Sequence, residues 1–234
     1  MKAMILAAGR GKRMMPLTAH TPKPLLKVAG KPLLQYHIER LKKAGFDQIV
    51  INHCHLGQQI EEYFGDGRRF GVSIQWSPES KALETAGGMR QALDLLDNQP
   101  YLAINGDIWT DFPFETLRNS PNIDALGKNQ VGKNQALAHL ILVPNPAQNP
   151  DGDFGLVQGK VCNQAKTQWT YSGIAVYNPK LVSNCPLGKP MGAAPLIRSA
   201  AEKSLISGEI YQGSWQDIGT PERLAQLEQQ LIHQ

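Results

Sequence analysis

The chain has 234 residues, of which 19% are charged, and a formal net charge of +4 at pH 7, which suits one large α/β domain with ample core. Its basic residues do not run together beyond residues 10–13 and the pair Lys42 and Lys43, which excludes the footprint of a nucleic-acid binder and fits anionic small substrates. No segment has the ~20 apolar residues of a membrane span, and three widely spaced cysteines without a CxxC pair indicate free thiols. We therefore expect a cytoplasmic monomer or small homo-oligomer that binds neither nucleic acid nor membrane.

In the first half, strand patterns alternate with helical patterns. Short apolar runs predict strands at residues 2–7, 48–52, 72–76 and 101–105. Apolar residues at helical spacing predict helices at residues 32–45, 55–64 and 87–96. This alternation predicts an α/β fold with a doubly wound, mostly parallel, Rossmann-like sheet.

The second half is less regular. Residues 119–135 and 144–170 are rich in Asn, Gln, Gly and Pro, and we expect them to form loops that cover a site. Strands are predicted at residues 136–143 and 170–177, and helices at 195–205 and 221–232, with Thr220 as the N-cap of the last helix. No internal repeat or linker divides the chain, so we expect a single domain.

A glycine-containing basic loop directly follows the first predicted strand. It comprises residues 8–13, with Gly9 and Gly11 able to bring backbone N–H groups close to a phosphate, and Lys12 and Arg13 adding positive charge. The loop is neither a P-loop nor a dinucleotide fingerprint, because Met14 stands where the third glycine would fall. The alternative is a tight turn with a solvated basic surface.

Lys23 lies between two prolines. Each proline fixes its own φ and restricts the preceding residue, so the backbone of Lys23 is stiffened. A lysine that must meet a transferring phosphoryl group benefits from such stiffening, whereas an exposed lysine in a proline-rich connector does not need it. Both interpretations stay open on this pattern alone.

Two aspartates follow strand patterns. Asp107 comes just past the predicted strand 101–105, at the edge where ligands bind in open α/β sheets. A carboxylate there, facing a triphosphate, would most simply hold Mg²⁺. Asp217 has a similar setting before a predicted helix. The alternative for each is an aspartate that caps its own backbone.

The segments MILAAGRGKRMMPLT and PKPLLKVAGKPLL resemble the opening signature of sugar-1-phosphate nucleotidyltransferases. The resemblance covers nearly the whole chain, because it extends through residues 84–88, 105–107, 152–155, 171–174 and 215–220. It implies a nucleotide-binding half at residues 1–110 and a sugar-binding half at residues 111–234. It also implies an NTP and a sugar 1-phosphate as substrates, and Mg²⁺ as the cofactor.

The resemblance assigns roles residue by residue. It implies Arg13 and Lys23 as catalytic residues, and Asp107 and Asp217 as the metal ligands. The implied nucleotide-binding residues are Ala8, Gly9, Gly11, Lys12, Arg13, Lys23, Glu84, Gly87 and Asn105. The implied sugar-binding residues are Asn105, Gly152, Tyr171, Ser172 and Gly173.

Within the family, the chain resembles the enzymes that transfer UMP from UTP to N-acetyl-α-muramic acid 1-phosphate in peptidoglycan recycling. Guanylyl transfer to mannose 1-phosphate, and thymidylyl or uridylyl transfer to glucose 1-phosphate, are the nearest alternatives. A non-catalytic nucleotide-sensing subunit is the alternative of another class.

One departure from the family concerns the sugar site. Many relatives carry a sugar-binding glutamate, but this chain has no Glu between Glu115 and Glu202. Gln158, Asn163 or Gln164 are the substitutes that the sequence offers. Lys160 and Lys166 in the same stretch either pair with the carboxylate of N-acetylmuramic acid or are solvated loop charges.

Overall fold

The computed structural model describes residues 1–118, 123, 126 and 136–232. The strands of this part of the chain are β1 (Ala3–Leu6), β2 (Lys27–Val28), β3 (Lys31–Pro32), β4 (Gln48–His53), β5 (Ser73–Pro78), β6 (Tyr101–Asn105), β7 (Ile108–Thr110), β8 (Ala138–Val143), β9 (Phe154–Val157), β10 (Lys160–Cys162), β11 (Gln168–Tyr177), β12 (Ile206–Ile210) and β13 (Trp215–Asp217). The helices are α1 (Leu33–Lys43), α2 (Gly57–Phe64), α3 (Glu84–Ala92), α4 (Ala194–Glu202) and α5 (Pro221–Ile232).

Strands from both halves of the chain form one sheet, in the order β5-β4-β1-β6-β11-β8-β12-β10-β9. The first four strands are parallel, as the sequence predicts. Beyond them β12 is parallel to β8, but β11 is antiparallel to both β6 and β8, and β10 is antiparallel to β12 and β9, so the expectation of a mostly parallel sheet fails. The sheet is therefore mixed: short hairpins such as β9–β10 allow antiparallel pairing without a crossover helix.

Helices cover both faces of the sheet. Along β1, Ala3 and Ile5 pack with apolar residues of α1 and α2, whereas Met4 packs with apolar residues of α3 and α4. Alternate residues of a strand point to opposite faces, so a continuous apolar strand such as β1 is buried on both sides. The fold is therefore α/β, with helices on both faces of one mixed sheet.

Most predicted elements are present, with shifted ends. α5 begins at Pro221 as predicted, and Thr220 caps it by accepting a hydrogen bond from the backbone N of Arg223 at 3.4 Å. α3 begins at Glu84, earlier than predicted. The stretch 144–170 is not all loop, because it contains β9 and β10. The predicted loop at 119–135 falls largely outside the described residues.

A second, two-stranded sheet brings the C-terminal segment back to the carboxyl end of β6. Strand β13 pairs with β7. Helix α5 packs through Leu227 on a small apolar cluster, separate from those on the two faces of the main sheet, that contains Met14 and Trp109.

Cys54, Cys162 and Cys185 are free. In the described part of the chain, no helix is both long enough and apolar enough to cross a bilayer.

Candidate active site

Two adjoining cavities open at the carboxyl ends of β1, β4 and β6. The first, of about 310 Å³, is lined by Leu6, Ala7, Ala8, Gly9, Lys23, Pro24, Asn52, Ala82, Glu84, Thr85, Asn105, Gly106 and Asp107. The second, of about 390 Å³, is lined by Arg13, Asn105, Asp107, Ile108, Pro146, Gln148, Asn149, Thr170, Tyr171, Ser172, Trp215, Asp217 and Arg223. Asn105 and Asp107 line both, so the two cavities meet at the end of β6. This is the sheet edge at which α/β proteins bind ligands.

The loop after β1 borders both cavities. Ala8 and Gly9 line the first cavity, and Arg13 lines the second. The loop is held by the Thr18 hydroxyl, which donates to the carbonyl oxygen of Gly11 at 2.9 Å. Lys12 lies instead beside Arg10 on a separate cavity at the outer side of the loop. The loop therefore presents backbone to the first cavity and a guanidinium to the second.

Lys23 is a buried cation at the floor of the first cavity. Its Nζ donates to Asp107 Oδ2 at 2.9 Å, and its side chain is 9% exposed, against 42% for that of Asp107. A buried ammonium needs such a partner, because desolvation of an isolated charge is costly. The pairing orients Lys23 toward the point where the two cavities meet.

Asp217 joins this group through the pairing of β13 with β7. In that pairing Asp217 lies opposite Ile108, and the backbone N of Ile218 donates to the carbonyl oxygen of Asp107 at 2.8 Å. The Asp217 carboxylate is paired with the Arg223 guanidinium from α5. The fold thus brings two aspartates, 110 residues apart in sequence, to the same cavity.

The donor set fits a hard divalent cation. Both candidate ligands are carboxylates, and the described residues contain no cluster of three or more His, Cys, Asp or Glu side chains that could form a complete protein cage. Mg²⁺ binds in this way, through one or two carboxylates, with waters and substrate phosphates completing its coordination. Lys23 and Arg223 balance the two carboxylates in this structure.

The first turn of α3 forms the far wall of the first cavity. Glu84 lines the cavity, whereas Gly87 faces the neighbouring chain segment, where an added Cβ would lie 2.6 Å from the carbonyl oxygen of Lys189. Backbone N–H groups of Ala86 and Gly87 donate to the carbonyl oxygen of Met191 at 2.8 and 3.1 Å. The segment around Met191 therefore supports this wall from behind.

At the second cavity, the hydroxyl groups of Tyr171 and Ser172 point into the protein interior and not into the cavity. The Ser172 hydroxyl donates to the carbonyl oxygen of Ile141 at 2.7 Å, and the Tyr171 hydroxyl lies 3.0 Å from that of Tyr177. Burial raises the pKa of Tyr171 well above its ordinary value. Contacts of Tyr171 and Ser172 with a ligand would thus come from backbone and ring atoms.

Gly173 allows the backbone of β11 to approach the side chain of Asn105 closely. It lies in a bulge of β11 with φ of +80°, and a Cβ there would fall 2.6 Å from Nδ2 of Asn105. Gly152 packs against the backbone of Gln168 and Trp169, where a Cβ would fall 2.9 Å from it. Gly11, Lys12, Gly87, Gly152 and Gly173 do not line either cavity.

The polar residues that line the second cavity differ from the substitutes that the sequence offers. Gln148, Asn149 and Thr170 line it, whereas Gln158, Asn163 and Gln164 do not. Lys160 and Lys166 do not line it either, and its arginines among the described residues are Arg13 and Arg223. Sequence reasoning missed Gln148 and Asn149 because the loop 144–150 has no strand or motif that would fix its direction.

Asn52 and Glu79 are also functional candidates that sequence reasoning missed. Asn52 lies near the carboxyl end of β4 and lines the first cavity. Glu79 lies behind Asn52 and is 5% exposed. Burial raises the pKa of the Glu79 carboxyl. The strand-end rule that singles out Asp107 would have found Asn52, but nothing in the sequence pairs it with Glu79.

Comparisons with known proteins fit this geometry. The family model described as nucleotidyl transferase matches residues 2–234. The chain belongs to the nucleotidyl transferase family. Enzymes of this family generally use divalent metal ions, in keeping with the pair of carboxylates between the cavities of this nucleotidyltransferase.

Among curated relatives, the nucleotidyltransferase is 46% identical to the N-acetylmuramate alpha-1-phosphate uridylyltransferase of Neisseria meningitidis serogroup B, over 97% of both chains. It is 32% identical to the UTP–glucose-1-phosphate uridylyltransferase of Synechocystis sp., over 81% of this chain and 52% of that one. Among solved structures, a putative glucose-1-phosphate thymidylyltransferase from Bacillus anthracis matches with a TM-score of 0.80 at 21% identity, over 98% of this chain and 94% of that one. The last likeness shows the shared fold.

Proposed function

We propose that this nucleotidyltransferase transfers UMP from UTP to N-acetyl-α-muramic acid 1-phosphate, giving the UDP-sugar and pyrophosphate for peptidoglycan recycling. The observation that carries the proposal is the 46% identity to the Neisseria uridylyltransferase over 97% of both chains. The adjoining cavities support it, because a reaction between two phosphorylated substrates needs two subsites that meet at the reacting atoms.

In this proposal the nucleoside of UTP occupies the first cavity, and its triphosphate follows the loop after β1 to Arg13 at the edge of the second cavity. The sugar 1-phosphate occupies the rest of the second cavity. A phosphate oxygen of the sugar attacks the α-phosphorus of UTP, the bond between the α-phosphorus and its bridging oxygen breaks, and pyrophosphate leaves. A sugar phosphate is already a competent nucleophile, so neither a general base nor a covalent intermediate is needed. Catalysis then consists of alignment and charge stabilisation.

The residues of the chain divide these tasks. The backbone of Ala8 and Gly9 and the Arg13 guanidinium bind the departing phosphates. Lys23, fixed by Asp107 at 2.9 Å, neutralises charge on the α-phosphoryl oxygens. Asn105 lines both cavities, which supports a role in orienting the sugar or the ribose. Asp107 and Asp217 hold Mg²⁺, which when bound reduces repulsion between the two anionic substrates.

The second cavity can accept the carboxylate that distinguishes N-acetylmuramic acid from glucose or mannose. Its lining includes the guanidinium groups of Arg13 and Arg223 and, among the described residues, no glutamate. A guanidinium matches a carboxylate with two parallel hydrogen bonds. Asp217, which would hold the metal, is also the carboxylate with which Arg223 is paired in this structure. We therefore place the sugar carboxylate near Arg223 rather than near Lys160 or Lys166.

A substrate panel tests the proposed function. With UTP and Mg²⁺ fixed, pyrophosphate release is measured for the 1-phosphates of N-acetylmuramic acid, N-acetylglucosamine, glucose and mannose. We expect kcat/KM for the muramic compound to be highest by at least ~10-fold, and excess EDTA to abolish turnover. A smaller preference would contradict the assigned sugar, and a higher rate with GTP or dTTP would contradict the assigned base. Nucleotide binding without turnover of any sugar 1-phosphate would favour the alternative of a non-catalytic nucleotide-sensing subunit.

A further inference from the structure

A chain of buried hydrogen bonds connects the end of β1 to the wall of the first cavity. Oδ1 of Asn52 accepts from the backbone N of Ala7 at 2.8 Å, and its Nδ2 donates to Glu79 Oε1 at 2.7 Å. Oε2 of Glu79 accepts from the backbone N of Leu83 at 2.8 Å. Ala7 leads into the loop of residues 8–13, and Leu83 directly precedes Glu84 of the opposite wall. The two walls are thus joined through two side chains.

For each of these three hydrogen bonds, the donor and the acceptor are fixed. The backbone N–H groups of Ala7 and Leu83 can only donate, so Asn52 must present its oxygen to Ala7 and Glu79 must present an oxygen to Leu83. Asn52 then has only its NH₂ group left for Glu79, which must accept it. Asn52 is 2% exposed and Glu79 is 5% exposed, so water does not replace a lost partner cheaply.

The packing around these hydrogen bonds leaves little room for Asn52 and Glu79 to move. Gly88 of α3 lies against it, where a Cβ would fall 2.6 Å from Nδ2 of Asn52 and 2.7 Å from Oε1 of Glu79. The helix that follows the cavity wall therefore rests directly on the Asn52–Glu79 hydrogen bond. A shift of either side chain moves α3 and the residues that precede it.

We propose that Asn52 and Glu79 are positioning residues for the nucleotide: they set the distance between the loop at residues 8–13 and the wall at Leu83–Glu84, so that phosphates and base bind together. The proposal rests on the proposed function in taking the first cavity as the nucleotide site. It predicts that damage to the pair weakens UTP binding and leaves the sugar 1-phosphate site almost unchanged, because the pair does not touch the second cavity.

Exchange of the two functional groups provides the test. Glu79→Gln places two NH₂ groups against each other and breaks the chain of hydrogen bonds. Asn52→Asp places two carboxylates against each other and breaks it at a pH where both are ionised. The double variant Asn52→Asp with Glu79→Gln restores it, since the new glutamine can donate to the new aspartate and still accept from Leu83, while that aspartate accepts from Ala7. A double-mutant cycle isolates this interaction. The matched control is the exchange Gln58→Glu with Glu62→Gln, a pair bonded at 2.8 Å on α2 outside both cavities.

The readouts are the Kd for UTP with Mg²⁺ by calorimetry, the KM for the sugar 1-phosphate, and thermal melting. We expect each single variant to raise the Kd for UTP by ~10-fold or more, the double variant to return within ~3-fold of wild type, and the sugar KM to change little. The control exchange should change none of them.

Three results would overturn the proposal: single variants that bind UTP normally, equal losses for UTP and the sugar 1-phosphate, or a double variant that does not recover. If the single variants fail to fold, the double variant still decides, because the assigned hydrogen bonds require it to fold and bind. If wild type binds another NTP in place of UTP, the proposed function fails in its base, and the cycle is measured with the NTP that binds.

Discussion

Lys23, which we propose acts on the α-phosphate, is held in place by its neighbours in the sequence and by its burial. Pro22 and Pro24 restrict its backbone, the surrounding fold buries it, and Asp107 compensates its charge at 2.9 Å. A side chain held in this way loses little conformational entropy when a phosphate arrives, unlike a mobile surface lysine. The sequence shows the two prolines, but the partner carboxylate lies 84 residues away and is visible only in the structure.

Lys23→Ala should lower kcat by ~10²-fold or more, because a charge that stabilises the transition state is lost. The melting temperature should change little, because Asp107 is partly exposed and can be hydrated. Lys27→Ala is the matched control, since Lys27 is exposed on β2, outside both cavities. Steady-state rates of pyrophosphate release measure the effect. A Lys23→Ala enzyme with near-normal kcat would remove this lysine from the mechanism.

Other site residues could be predicted only in part. The position of Asp107 at a strand end follows from the rule for open α/β sheets, and the same rule places Asn105. Arg223, Glu79 and Gln148 have no such signal, because only tertiary contacts bring them to the site. Tyr171 and Ser172 lie at the second cavity, yet their hydroxyls turn into the core, which their position in the sequence does not reveal.

Among the elements, β11 connects the two halves of the sheet and shapes the place where the cavities meet. It is antiparallel to β6 on one side and to β8 on the other, and its bulge lies between Tyr171 and Ile174. A bulge turns the strand locally and re-aims its side chains. Gly173 lies in this bulge against Asn105, so the geometry of the strand determines the position of a residue that lines both cavities.

Gly173→Ala should therefore reduce activity more than stability alone explains. The alanine is strained at φ of +80°, at a cost of about 1 kcal/mol, and its Cβ would displace the Asn105 amide. Gly159→Ala is the control, since Gly159 has φ of +73° with no atom within 4 Å of a Cβ. Melting curves and kcat/KM measure the two effects. Equal activity of the two variants would show that Asn105 does not depend on Gly173.

Elements could be predicted where hydrophobic periodicity is strong. The central strands β1, β4 and β6, and helix α5, carry continuous or helically spaced apolar residues, and their ends fall within a few residues of the prediction. The strands β9, β10 and β12 are short and lie in polar or glycine-containing sequence, so they were missed. Their pairing, rather than their own residues, makes them strands.

In the whole molecule, segments far apart in the sequence contribute to the same candidate site. The first half supplies the loop after β1, Lys23 and the end of β6, and the C-terminal segment supplies Asp217 through the pairing of β13 with β7. The first cavity is lined by the first half alone and the second by both halves, and the two meet at Asn105 and Asp107. With the two substrates in these cavities, as we propose, one phosphate would attack the other without a covalent intermediate on the protein.

The stereochemical course at the α-phosphorus distinguishes direct transfer between the two substrates from transfer through a uridylyl-enzyme. The enzyme is given UTPαS of one known configuration together with the sugar 1-phosphate, and the configuration of the product is determined by ³¹P NMR. A single in-line attack inverts the α-phosphorus, and we predict inversion. Retention would require two successive displacements through a uridylyl-enzyme, and would contradict an account in which both substrates meet at Asn105 and Asp107.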